Sequence, residues 1–185
     1  MKKSFGSQSL IYPMPVLIIC SYDENGNVDA MNAAWGGIHD TNQIGICLSH
    51  EHKSADNILL KKAFTVSFAD EAHVAECDFV GIVSAKKDPD KIKKSGFTFT
   101  RSEKIDAPVC NELPVALECS LVSYDEKSDY LVADIVNVLA DEEVLTDGKI
   151  DPSKAKPITF DAVNNKYIAL GKIAGNAFKD GLKLR

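Results

Sequence analysis

Val16-Leu-Ile-Ile-Cys-Ser-Tyr22 is an apolar run introduced by Pro13 and Pro15, and Asp23-Glu24-Asn25-Gly26-Asn27 follows it at once. The run reads as a buried strand. Asn-Gly is a strong hairpin signal because both residues accept a positive φ. The return strand is predicted over Val28 to Trp35. A second pair lies further on, Leu113 to Tyr124 and Tyr130 to Ala140, joined by the polar turn Asp125-Glu126-Lys127-Ser128-Asp129. Strands joined by hairpins are antiparallel, so the two pairs argue against a doubly wound parallel sheet, whose strands alternate with helices.

Working outward, Gln43 to Ser49, Phe64 to Ala69, Ile158 to Phe160 and Tyr167 to Leu170 read as further strands. Ser54 is expected to cap a helix over Ala55 to Lys62, its hydroxyl accepting an early backbone N–H. Asp70 is expected to cap a second helix through Cys77 and Val80. Asp88-Pro89 and Ser95-Gly96 bracket a third, and Gly171 to Leu184 reads as a closing helix. Six or seven strands with mostly hairpin connections and short helices predict an α/β, mainly β, small barrel. A chain of 185 residues makes it one domain over 1–185.

Composition narrows the function. The net charge is -6 and no long Lys/Arg run occurs, a poor match to the phosphate contacts of a nucleic-acid binder. The longest purely apolar stretch, Val16 to Cys20, is far short of the ~18 residues that span a bilayer. No adequate apolar core follows Lys2 and Lys3 to make a signal peptide. Cys20, Cys47, Cys77, Cys110 and Cys119 are odd in number and none is in C-x-x-C spacing, which opposes a disulfide framework or zinc knuckle. The expectation is a cytoplasmic protein that meets small molecules or proteins, not nucleic acid or membrane.

Three stretches carry chemistry. In Met31-Asn32-Ala33-Ala34-Trp35-Gly36-Gly37, small residues beside an aromatic and two glycines let backbone approach something flat, and Asn32 offers both donor and acceptor. In Cys47-Leu48-Ser49-His50-Glu51-His52-Lys53-Ser54, a strand end leads through a polar loop to a helix N-terminus, a ready anion site. Ser84 to Lys91 is a basic loop opening onto a short helix. Each has a plain structural reading beside it: a glycine turn with Trp35 as core, an ordinary capped helix, a solvated charged turn. His50 and His52 share a strand face and could ligate an ion, with His39 and His73 elsewhere, but no third ligand stands at diagnostic spacing. No Gly-x-Gly-x-x-Gly follows a strand, and no nucleophile motif is present.

Taken in order, these stretches resemble the flavin reductase-like, FMN-binding split-barrel family, and within it the flavoredoxin group. The resemblance runs from Tyr12-Pro-Met-Pro-Val through Asn32-Ala-Ala-Trp-Gly-Gly, Asp56-Asn-Ile and Asp78-Phe-Val-Gly-Ile-Val-Ser to Leu170-Gly-Lys-Ile-Ala-Gly-Asn-Ala-Phe. It implies a Greek-key-like six-stranded barrel that forms a homodimer, with FMN near the subunit interface. Carried over by position, Asn32, Ala33, Ala34 and Trp35 line the isoalloxazine, while Cys47, Leu48, Ser49 and His50 run beside the ring and ribityl chain. Lys53 and Ser54 meet the ribityl or phosphate end; Ser84 and Lys91 approach from their loop. Two positions depart from the pattern: relatives often carry a basic residue where Ser49 stands and Gly where Ala85 stands. The implied function is an FMN oxidoreductase or electron carrier that exchanges with NAD(P)H or a redox protein. The alternative is a non-catalytic module holding a flavin or other flat ligand. No catalytic side chain is assigned, though Lys91 is expected to tune the ring.

Overall fold

A computed structural model describes residues 1–185. Seven strands make the main sheet: β1 (Leu17–Tyr22), β2 (Val28–Ala33), β3 (Gly36–Asp40), β4 (Gln43–Cys47), β5 (Ala63–Phe68), β8 (Val115–Asp125) and β9 (Tyr130–Ala140). The order is β2-β1-β5-β8-β9-β4-β3 and every ladder is antiparallel. Three small hairpin-like pairs complete the strands: β6 (Phe99–Arg101) with β7 (Pro108–Cys110), β10 (Leu145–Thr146) with β11 (Lys149–Ile150), and β12 (Ile158–Asp161) with β13 (Lys166–Ala169). The main sheet curls so that its two edge strands, β2 and β3, are consecutive in sequence. Gly36 of β3 sits close over the core: a Cβ there would lie 2.8 Å from Leu17 Cδ1 of β1. This is the mainly β split barrel that the resemblance implies.

The long β1 run is apolar throughout because both its faces are buried. Leu17 and Ile19 point into the barrel with Ile46, Phe64, Val66 and Leu131. Val16, Ile18 and Cys20 point outward, against Cys77 and Val80 of α2 (Val74–Ile82) and Ile158 of β12. Helix α1 (Lys53–Lys61) closes one end of the barrel with Ala55 and Ile58. The Asp23–Asn27 turn forms as expected, with Gly26 at φ +79 and Asp23 Oδ1 accepting the N–H groups of Asn25 and Asn27.

Four expectations change. The strands β3, β6, β7, β10 and β11 are additional; in β3, Gly-Gly-Ile-His-Asp has little strand propensity of its own, and its pairing with β4 holds it. Helix α1 begins at Lys53 rather than Ala55, with His52 at the cap position and no side-chain cap bond. Ser54 lies inside the first turn, one residue past the helix start, and donates its hydroxyl to Asp29 Oδ2 at 2.6 Å. Asp70 accepts the N–H groups of Ala72 and His73, in the turn just before α2 rather than in its first helical turn. The closing helix does not form: only a 3₁₀ turn over Asp180–Leu184 is present, and Ile173 and Phe178 stand exposed. A helix that buries no face has little to stabilise it.

Candidate functional site

The strand β2 ends where two concavities meet. On one side lies a polar pocket of about 300 Å³, lined by Asp29 and Asn32 of β2, Lys53 and Ser54 of α1, Ser84, and Lys91 of α3 (Lys91–Ser95). On the other lies an open apolar groove of about 490 Å³, lined by Ala34, Trp35, Ile38, Cys47 and Tyr130 together with Leu10 and Ile11 of the N-terminal arm. Ala33 lines neither of them and packs against the barrel core.

Each polar residue is positioned by an identifiable contact. Asn32 Nδ2 donates to the carbonyl of Cys77 at 3.1 Å, tying β2 to α2. Helix and strand are close there: a Cβ on Gly81 would lie 2.9 Å from Asn32 Cβ. Lys53 Nζ pairs with Asp23 Oδ2 at 3.1 Å. Lys86 ties the loop that carries Ser84 to the start of α1, donating to the Glu51 carbonyl at 2.8 Å and pairing with Asp56 at 2.9 Å. The backbone N–H groups of Lys53 and Ser54 donate to no protein acceptor, as expected for the first turn of a helix.

Lys91 is only 4% exposed, unusual for lysine. Burial pushes its pKa down from the ordinary lysine value, while the charge of Asp29 opposes that shift. Its Nζ lies 3.9 Å from Asp29 Oδ1, too far for a hydrogen bond. Asp29 is 2% exposed, and its Oδ1 has no hydrogen-bond partner. The pocket therefore contains a buried cation and a buried carboxylate oxygen that stand near each other without bonding.

The other residues read from the sequence fall elsewhere. Leu48 packs its side chain into the barrel core; its carbonyl accepts the Tyr124 hydroxyl at 2.7 Å. His50 is drawn to Asp129, Nδ1 to Oδ1 at 2.9 Å, a contact that raises its pKa. Ser49 Oγ accepts from the Glu51 amide at 3.3 Å. No group of three His, Cys, Asp or Glu side chains is placed to hold a metal ion. Asn32, Lys53, Ser54, Ser84 and Lys91 are thus brought together, Ala34, Trp35 and Cys47 form a second group, and Leu48, Ser49 and His50 lie outside both. Asp29 was missed. Its only signal is an acidic residue inside an otherwise core-facing strand, and its neighbour Lys91 is remote in sequence.

A family described as "Flavin reductase like domain" matches residues 9–157. The chain is 34% identical to flavoredoxin of Desulfovibrio vulgaris (Miyazaki F), covering 98% of this chain and 100% of that one with a TM-score of 0.93. It is 28% identical to flavoredoxin of Methanosarcina acetivorans, covering 100% of each with a TM-score of 0.89. An uncharacterized protein of Aeropyrum pernix is 25% identical over 125 residues, which span 66% of this chain and 47% of that relative.

Proposed function

The chain belongs to the flavin reductase-like family, and on that premise we propose that it binds FMN and moves hydride or electrons through it. FMN supplies the redox chemistry, accepting a hydride or single electrons on its ring. The chain's own residues bind, orient and shield. Lys91, with the free amides of Lys53 and Ser54 at the N-terminus of α1, offers fixed positive potential to the phosphate end. In the groove, Ala34, Trp35 and Cys47 offer a largely apolar wall to a flat ring. The observation that carries this reading is the buried ammonium of Lys91, which has no hydrogen-bond partner and lines the same pocket as the first turn of α1, since such a cation calls for an anionic or strongly accepting ligand.

The donor or acceptor is NAD(P)H or a redox protein. The working unit is a homodimer. Trp35 is 60% and Ile38 73% exposed beside the groove, and β3 is an edge strand, a combination that marks a protein interface. The setting is the cytoplasm, whose reducing poise suits five free cysteines. No helix is long and apolar enough to cross a membrane.

The test is the absorbance spectrum of the purified protein and its FMN content, followed by anaerobic titration with NADH and NADPH. About one FMN per chain is expected. Bleaching by a reduced nicotinamide indicates a reductase, and a yellow protein inert to both indicates an electron carrier. No flavin bound after reconstitution with excess FMN rules the reading out.

A further inference from the structure

We propose that residues 171–185 form an arm that docks on a second copy of the chain, with Phe178 seated beside Trp35 and Ile38 at the other copy's groove. The proposal rests on the homodimer reading and concerns a segment outside residues 9–157, which carry the family match. Not one residue of the arm is buried in its own chain. Ile173 is 87% and Phe178 99% exposed. The hydrogen bonds of the arm all close within it. Nothing in the chain's own body holds it.

The arm is nevertheless shaped. Asp180 Oδ2 accepts the Asn176 N–H at 2.8 Å, Lys183 pairs with Asp180 at 3.1 Å, and a 3₁₀ turn runs over Asp180–Leu184. The fold is tight enough that a Cβ on Gly175 would lie 2.7 Å from that carboxylate oxygen. It presents Phe178 at φ +62, an outlying conformation for a bulky side chain. Such strain persists where surroundings fix it, and a wholly exposed ring has no such surroundings in its own chain.

Position and charge select the occupant. Leu170, the last residue before the arm, lines a small cavity with Pro13 and Pro15, and the same two prolines line the groove that holds Trp35 and Ile38. The arm therefore leaves the body at the groove's margin. Two copies that face each other through that groove about a twofold axis bring the root of each arm to the shared face. Phe178 lies eight residues beyond Leu170, a reach of up to about 26 Å. Lys172, Lys179, Lys183 and Arg185 against Asp180 alone give the arm +3, so the remaining residues of this -6 chain carry -9. A basic, apolar arm is drawn to an acidic body with exposed apolar side chains.

The experiment follows association of the flavin-loaded full chain by analytical ultracentrifugation over a concentration series, beside Phe178→Ala and a chain ending at Leu170. The expected result is dimerisation about thirtyfold weaker for Phe178→Ala, and at least as weak for the shortened chain, with unchanged circular dichroism. If the shortened chain does not fold, Phe178→Ala decides. Association of Phe178→Ala equal to wild type overturns the arm and leaves the dimer standing. A wild-type chain that stays monomeric refutes the homodimer reading, and this proposal with it. The seat is tested by mild oxidation of the double variant Ile38→Cys, Phe178→Cys. A covalent dimer whose peptide masses join those two positions is expected. A bond between them within one chain means that the arm folds back on its own groove, and failure to join them places the arm elsewhere; either result overturns the proposal.

Discussion

The polar pocket and the apolar groove are built on different terms. Every wall of the pocket is tied to the chain's own framework: Asn32 to α2, Lys53 to Asp23, Ser54 to Asp29, and the Ser84 loop to α1 through Lys86. The groove is held mainly by backbone pairing, β3 with β4 and Cys47 with Tyr130, with the 3.2 Å contact of Tyr130 with His39 beside it. Its walls are exposed side chains and an exposed N-terminal arm. One chain preorganises the end that recognises charge. The groove is left with Trp35 and Ile38 exposed.

That contrast can be broken most severely at Lys91. Lys91→Met leaves Asp29 as an uncompensated buried charge, and the cost of breaking a buried pair is on the order of 3 kcal/mol. Chemical denaturation is expected to show that loss, and Asp29→Asn placed beside it should restore much of it. A Lys91→Met protein as stable as wild type would mean the pocket is not preorganised by this pair. On the groove side, Trp35→Ala should leave the stability of the folded chain within about 0.5 kcal/mol, as an exposed residue does. It should weaken dimerisation by about 2 kcal/mol, roughly 30-fold, if Trp35 is an interface anchor. Denaturation reads the first arm and analytical ultracentrifugation over a concentration series the second; unchanged association would remove the groove from the interface.

The next test stays within the pocket and separates its two lysines. Lys53→Ala should lower the ratio of FMN to riboflavin affinity by about tenfold, the low end for a charge-assisted contact, because Asp23 already shares the Lys53 charge. An unchanged ratio would leave the phosphate to the helix amides and Lys91. The smallest effect is the pH dependence carried by Asp23. Burial alone would raise its pKa, but hydrogen bonds from Asn27, Lys53 and Asn25 outweigh burial and lower it from 3.8 to about 2. A depressed folded pKa stabilises the protein above the unfolded value and loses that contribution as pH falls from about 4 toward 2. Asp23→Asn should flatten acid unfolding over that window, and an equally steep acid transition in the variant would show that other carboxylates dominate it.

Local chemistry was legible where each element is decided locally. The long strands β8 and β9 lie within about two residues of their expected bounds, because two apolar-rich runs around a polar turn leave a clear pattern. Gly96 ends α3 in the left-handed conformation its type favours. Reading failed where a partner remote in sequence decides. Leu48 sits in a stretch that looks like a polar ligand loop, but the register of β4 with β9 places the residue just after it in the core. Ser54 reads as a helix cap, but the helix starts a residue earlier and the hydroxyl donates to Asp29 of β2.

The sequence by itself determined that this is a mainly β barrel with hairpins, short helices, a family's succession of motifs and a helix N-terminus flanked by lysines. Those features depend on propensity, turn chemistry and apolar period, which act within a few residues along the chain. Only the tertiary structure decided that Asp29 faces Lys91 across 3.9 Å, that Lys53 is shared with Asp23, and that the candidate residues divide between a pocket and a groove. Those outcomes depend on how a curled sheet brings β2, α1 and α3 to one place, and the distance across that meeting is not encoded in any short stretch of sequence.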